Sequence, residues 1–139
     1  MTENRDVWVF IEQNDGQVAE VSLELLGKGR QLADTLGSRL VALLCGEQVS
    51  RLTQEVIHCG ADQVLLAEHP ELAMYRTLPY SRVASDLVRQ RRPYIFLIGA
   101  TPVGRDLAPR IASAVHAGLT ADCTDLQIGD YLLKKDNRL

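Results

Sequence analysis

Three short runs of apolar, β-forming residues constrain this chain most: Val7-Trp8-Val9-Phe10-Ile11, Leu40-Val41-Ala42-Leu43-Leu44 and Tyr94-Ile95-Phe96-Leu97-Ile98. A strand that faces water on one side alternates apolar and polar residues. A strand apolar at every position is buried on both faces, as in parallel sheets covered by helices. The segments between the runs have helical periodicity. Leu25, Leu26, Gly29, Leu32, Ala33 and Leu36 fall on one face of a helix over residues 22–36, which Gly37 stops. A second helix is predicted over 49–59, ended by Gly60, and a short strand over 64–66. A loop follows from 68 to about 75. Pro79 opens a third helix, which runs to about residue 91 with Val83, Leu87 and Val88 inward, and Pro93 blocks its continuation. A tight loop over 99–104 leads to a fourth helix over 105–115. The tail reads as strand 121–128, a Gly129-Asp130 turn, and strand 131–133.

This alternation predicts an α/β fold: a doubly wound, mainly parallel Rossmann-like sheet with helices on both faces and a C-terminal β-hairpin. With neither an internal repeat nor a low-complexity linker, residues 1–139 are read as one domain. Gly27 and Gly29 lie inside the first helix, where each costs roughly 1 kcal/mol against Ala, so a close approach to a neighbouring element is expected there.

The net charge is −3, and the densest basic run, Arg89-Gln90-Arg91-Arg92, is short and reads as a solvated helix end. That balance lacks the basic footprint of nucleic-acid or anionic-membrane binding. No apolar run reaches the roughly 20 residues that span a bilayer. The polar opening Met1-Thr2-Glu3-Asn4-Arg5-Asp6 does not read as a secretory signal, so a cytoplasmic location is expected. Cys45, Cys59 and Cys123 match no zinc or redox spacing and read as reduced, buried thiols. His58, His69 and His116 lie far apart, no metal site is expected, and no nucleophile–base pair marks a catalytic residue.

Such a fold invites a nucleotide. The turn after the first strand, Glu12-Gln13-Asn14-Asp15-Gly16-Gln17, has one glycine where a dinucleotide fingerprint needs three. The fourth long strand is followed by Gly99-Ala100-Thr101-Pro102-Val103-Gly104-Arg105-Asp106, which has P-loop glycine spacing but Arg105-Asp106 in place of Lys and Ser or Thr. An NTPase is therefore excluded. The loop still offers a hydroxyl at Thr101, a helix N-terminus, Asp106 as a cap in the first helical turn, and Arg105 as an outward five-donor fork. A purely structural reading stands beside it: the glycines shape the turn and Arg105–Asp106 is a local ion pair.

The stretch Gly99 to Ala112, followed by Gly118-Leu119-Thr120-Ala121-Asp122-Cys123-Thr124, closely resembles the alpha subunit of electron transfer flavoprotein. The opening Val7 to Glu12 and the segment Ser22 to Gly29 are similar to that family as well. The resemblance implies the N-terminal α/β domain of a heterodimer, with FAD held mainly by a C-terminal domain that this chain does not reach. Glu68-His69-Pro70-Glu71-Leu72 with Tyr75, and Ser22 to Gly29, look like the anaerobic branch, whose members can carry a second FAD in the beta subunit where others carry AMP. Implied partners are the beta subunit, an acyl-CoA dehydrogenase, and NADH with ferredoxin or flavodoxin where electrons are bifurcated. On this resemblance Thr101, Gly104 and Arg105 face an inter-subunit flavin or nucleotide cleft, and Arg105, Asp106, Thr120 and Asp122 belong to the interface. The competing reading is a stand-alone adenine-nucleotide-binding module of the stress-protein-like type, whose fuller glycine pattern this chain lacks.

Overall fold

The structure, a computed structural model, describes residues 5–129. The three apolar runs become β1 (Val7–Ile11), β4 (Leu40–Gly46) and β6 (Ile95–Gly99), every residue of which is buried. Between β1 and β4 lie a small hairpin, β2 (Gln13–Asn14) and β3 (Gln17–Val18), and helix α1 (Glu20–Leu36). The hairpin turns through Asp15 and Gly16, both at positive φ (51° and 76°), the backbone that a two-residue turn requires. Helix α1 stops where Gly37 adopts a left-handed conformation and donates back to the last carbonyls.

The helix expected over 49–59 is two pieces, a 3₁₀ turn (Ser50–Leu52) and α2 (Thr53–His58). Strand β5 (Gln63–Glu68) is longer than its three apolar residues suggest, because its backbone pairs with β4 from Val41↔Gln63 to Gly46↔Glu68. Helix α3 (Thr77–Arg91) begins two residues before Pro79. Helix α4 (Pro102–Val115) begins at the proline rather than at Arg105, so Gly104 lies in its first turn.

The tail forms a hairpin earlier in the chain than expected. Its strands are β7 (Gly118–Ala121) and β8 (Asp125–Gly129), antiparallel, with Ala121 opposite Leu126. The continuous strand read over 121–128 is broken at Asp122-Cys123-Thr124, where the chain turns. The strand expected over 131–133 lies outside the described residues.

The sheet order is β5-β4-β1-β6-β8-β7. Strands β5, β4, β1 and β6 are parallel, and β8 runs antiparallel to β6. Successive side chains of a strand point to opposite faces, and the two cores follow from that. Trp8, Phe10, Leu43, Phe96 and Ile98 pack on one face with Ala84 of α3 and Leu107 and Ile111 of α4. Val7, Val9, Ile11, Leu44 and Leu97 pack on the other with Leu26 and Ala33 of α1 and Val56 of α2.

The two glycines of α1 part company here. A Cβ on Gly29 would meet Leu40 Cδ1 at 2.7 Å and Val9 Cγ2 at 3.1 Å, so α1 lies close on the sheet there. A Cβ on Gly27 would meet nothing within 4 Å, which corrects the expected close approach at that position. Cys45 is buried, Cys59 partly so and Cys123 exposed in the 122–124 turn, so burial of all three thiols does not hold. Among the described residues no helix is long and apolar enough to cross a membrane.

Candidate functional site

The chain reverses its direction of sheet growth at β1: β4 and β5 lie to one side, β6 to the other. Open α/β sheets bind ligands outside the carboxyl ends of the strands at such a point. Here that edge is built from Glu12, which follows β1, and from the residues joining β6 to α4.

Thr101 is the N-cap of α4. Its hydroxyl accepts from the Gly104 N–H at 3.0 Å and donates to Glu12 Oε1, which ties the ends of β1 and β6 together. The Glu12 N–H in turn donates to the buried Ser22 hydroxyl (2.8 Å), and its carbonyl accepts from the Ala19 N–H (2.8 Å). Burial pushes the Glu12 carboxyl above its ordinary value, against the pull of the Thr101 hydroxyl. Gly104 is required by contact: a Cβ there would sit 1.8 Å from the Gly99 carbonyl oxygen.

Arg105 is exposed, and among the described residues its side chain makes no hydrogen bond or ion pair. Asp106 does not cap the helix, a role Thr101 takes. Its Oδ2 instead accepts from Thr77 Oγ1 (2.5 Å) and Tyr75 OH (2.6 Å), while Oδ1 lies 4.0 Å from Arg110 Nε. These hydroxyls, Thr77 first, hold its carboxyl below the usual carboxylate range. The local Arg105–Asp106 pair is therefore absent, and the ion partner of Asp106 is Arg110 one turn on.

Thr120 lies on β7 opposite Gln127, and Asp122 opens the turn between β7 and β8, where its carboxylate accepts from the Cys123 N–H at 2.7 Å. That turn is joined to the β6–α4 loop, because the Ala100 N–H donates to the Thr124 carbonyl at 3.2 Å. Thr101, Gly104, Arg105 and Asp122 thus share one edge of the sheet, with Thr120 two residues before Asp122 on the edge strand.

Two features had no sequence reading. Asp125, fully buried at the start of β8, pairs with Lys28 of α1 at 2.9 Å, a contact between residues 97 apart in the chain. A cavity of about 440 Å³ opens beside Glu12, walled by Phe10, Asn14, Tyr75, Tyr80 and Val103. A signal for Glu12 was present, since an acid directly after a strand buried on both faces is placed at the ligand-binding edge.

The residues of this edge do not fit a diphosphate held by this chain alone. The Thr101 hydroxyl and Gly104 N–H, which a phosphate would use, are already paired with each other. The Glu12 carboxylate stands beside them and opposes a second anion. What remains outward is the Arg105 fork.

Comparison with known proteins gives a consistent answer. A family model described as the electron transfer flavoprotein domain matches residues 7–136. The chain is 50% identical over 124 residues to the electron transfer flavoprotein subunit alpha of Clostridium acetobutylicum, covering 89% of this chain and 37% of that protein. It is 48% identical over 124 residues to the acryloyl-CoA reductase electron transfer subunit beta of Anaerotignum propionicum, covering 89% and 34%. It is 48% identical over 128 residues to the protein FixB of Rhizobium meliloti, covering 89% and 36%. The chain therefore spans little more than a third of the length of these relatives.

Proposed function

This chain belongs to the electron transfer flavoprotein family, and on that premise we propose that it is a scaffold and subunit-interface domain of a heterodimeric, FAD-containing electron carrier. The assembly relays electrons from acyl-CoA dehydrogenase-type donors or NADH to a redox acceptor, with ferredoxin or flavodoxin as the low-potential acceptor where electrons are bifurcated. The flavin supplies the redox chemistry, and the protein supplies position and charge. A redox subunit named for acryloyl-CoA reductase among the relatives supports the acyl-CoA side of this reading.

The observation that carries the interface role is the exposure of Arg105 on the first turns of α4, at the sheet edge where β1 and β6 end. Thr101 and Gly104 shape the loop that presents it, one by capping the helix and the other by letting it lie on the strand end. Arg105 then meets the flavin or nucleotide of the beta-type partner, while Asp106, Thr120 and Asp122 border the same contact. The paired Thr101 and Gly104 and the adjacent Glu12 carboxylate weigh against a stand-alone adenine-nucleotide module.

The test is Arg105→Ala in the purified heterodimer of a full-length alpha chain with its beta-type partner. Flavin content per heterodimer or the rate of electron transfer is expected to fall on the order of tenfold, the loss of one charge-assisted contact. Both quantities unchanged would remove Arg105 from the proposal.

A further inference from the structure

The cavity beside Glu12 has a chemistry different from that of the interface loop. Its volume of about 440 Å³ lies in the range of small-ligand sites. Two carboxylates line it, Glu12 and Asp15, and among the described residues no Lys, Arg or His does. Facing them are the aromatic side chains Phe10, Tyr75 and Tyr80 and the exposed Met74, with the neutral amides of Gln13 and Asn14 beside the carboxylates.

The hydroxyls of both tyrosines are engaged elsewhere, Tyr75 OH with Asp106 (2.6 Å) and Tyr80 OH with the Leu72 carbonyl (2.6 Å). What the rings offer a ligand is therefore carbon and π-face. They are locked against each other edge to face, with centroids 5.0 Å apart, and Phe10 lies 6.4 Å from Tyr80. Cys45, also in the lining, is held as a neutral thiol, because burial pushes its pKa up to about 12. Among the described residues the Glu12 side chain accepts one hydrogen bond, from Thr101, which leaves Oε2 without a protein donor.

A half-buried carboxylate short of donors, at the mouth of a partly aromatic cavity with no cationic side chain among its described lining residues, is complementary to one kind of guest. We propose that this cavity binds a small organic ammonium ion, its charged head on Glu12 and its apolar body against Tyr75, Tyr80 and Phe10. The head gains a charge-assisted hydrogen bond and the aromatic quadrupoles add cation–π attraction. An anion of the same shape meets two carboxylates and is refused. The proposal stands apart from the electron-carrier reading, since none of the residues that would touch the guest is one assigned to the interface.

The test is a titration of the nitrogen-labelled chain with benzylammonium, benzyl alcohol and benzoate, following the amides of residues 10–15, 73–75 and 103. Benzylammonium is expected to give saturable shifts confined to those amides, benzyl alcohol to bind about tenfold more weakly, and benzoate not to bind. Glu12→Gln keeps an acceptor for Thr101 and removes the charge, so a folded spectrum with roughly tenfold weaker ammonium binding is expected. Asp15→Asn, on an exposed turn that tolerates Asn, provides a second variant with a smaller loss in the same direction. Equal binding of the three probes, shifts centred elsewhere, no saturable binding of benzylammonium, or unchanged affinity in both variants would overturn the proposal.

Discussion

Glu12 accepts a hydrogen bond from Thr101, and this one contact closes the carboxyl ends of β1 and β6 across 89 residues of chain. Its carboxyl is raised above the ordinary value of 4.5, chiefly by burial. Between the unfolded and folded values the folded chain therefore keeps a proton there that the unfolded chain has already released. The stability associated with Glu12 is fully present below that ordinary value and is lost as pH rises through the folded pKa. Glu12→Gln keeps the acceptor and removes the titration. Its melting temperature is expected to match the parent at pH near 4 and to exceed it increasingly toward pH 7, read by thermal unfolding across that range.

The glycines of the helices give opposed outcomes for the same substitution. Gly104→Ala drives a methyl to 1.8 Å from the Gly99 carbonyl oxygen, a backbone atom that cannot swing aside, and is expected to cost on the order of 3 kcal/mol. Gly27→Ala meets open space in the middle of α1 and is expected to stabilise by up to about 1 kcal/mol. Denaturant unfolding of the two variants checks the pair.

Lys28→Met leaves the buried Asp125 carboxylate without its cation. Lys28 is itself 40% exposed, so water moderates the loss, which is expected to be about 2 kcal/mol. Adding Asp125→Asn to that variant removes the stranded charge and is expected to recover part of it. A double-mutant cycle on unfolding free energies measures the coupling.

Asp106 behaves oppositely to Glu12. Its carboxyl is depressed by the Thr77 and Tyr75 hydroxyls, so its contribution is present above the ordinary value of 3.8 and is lost as pH falls through the folded pKa. Asp106→Asn is expected to lose stability at neutral pH and to show a shallower acid-side decline than the parent, read from melting temperatures between about pH 3 and pH 6.

The centre of the sheet was legible because β1, β4 and β6 carry no polar residue to confuse the period: Val7 to Ile11 and Ile95 to Ile98 can only be buried on both faces. The edge hairpin was not. Every residue of β7 is at least partly exposed, so no alternation marks it, and the Asp122-Cys123-Thr124 turn passed for the start of a strand. At the site, the loop from Gly99 to Arg105 stood out by its glycines. The pairings that fix it did not, because each joins distant stretches of chain: Glu12 with Thr101, Asp106 with Tyr75 and Thr77, Asp125 with Lys28. Local sequence carries no trace of a contact made tens of residues away.

The central position of β1 also sets a timetable. Of the strands of this sheet, β1 leaves the ribosome before the others, and it is the one flanked on both sides in the finished sheet by β4 and by β6. Its second neighbour begins at Ile95, so most of the described chain is synthesised before that edge can be covered. At about 5–20 residues per second the nascent chain carries an unpaired, wholly apolar strand edge for several seconds. Over that interval the edge of β1 is open to pairing with other chains, which its neighbours prevent in the finished sheet.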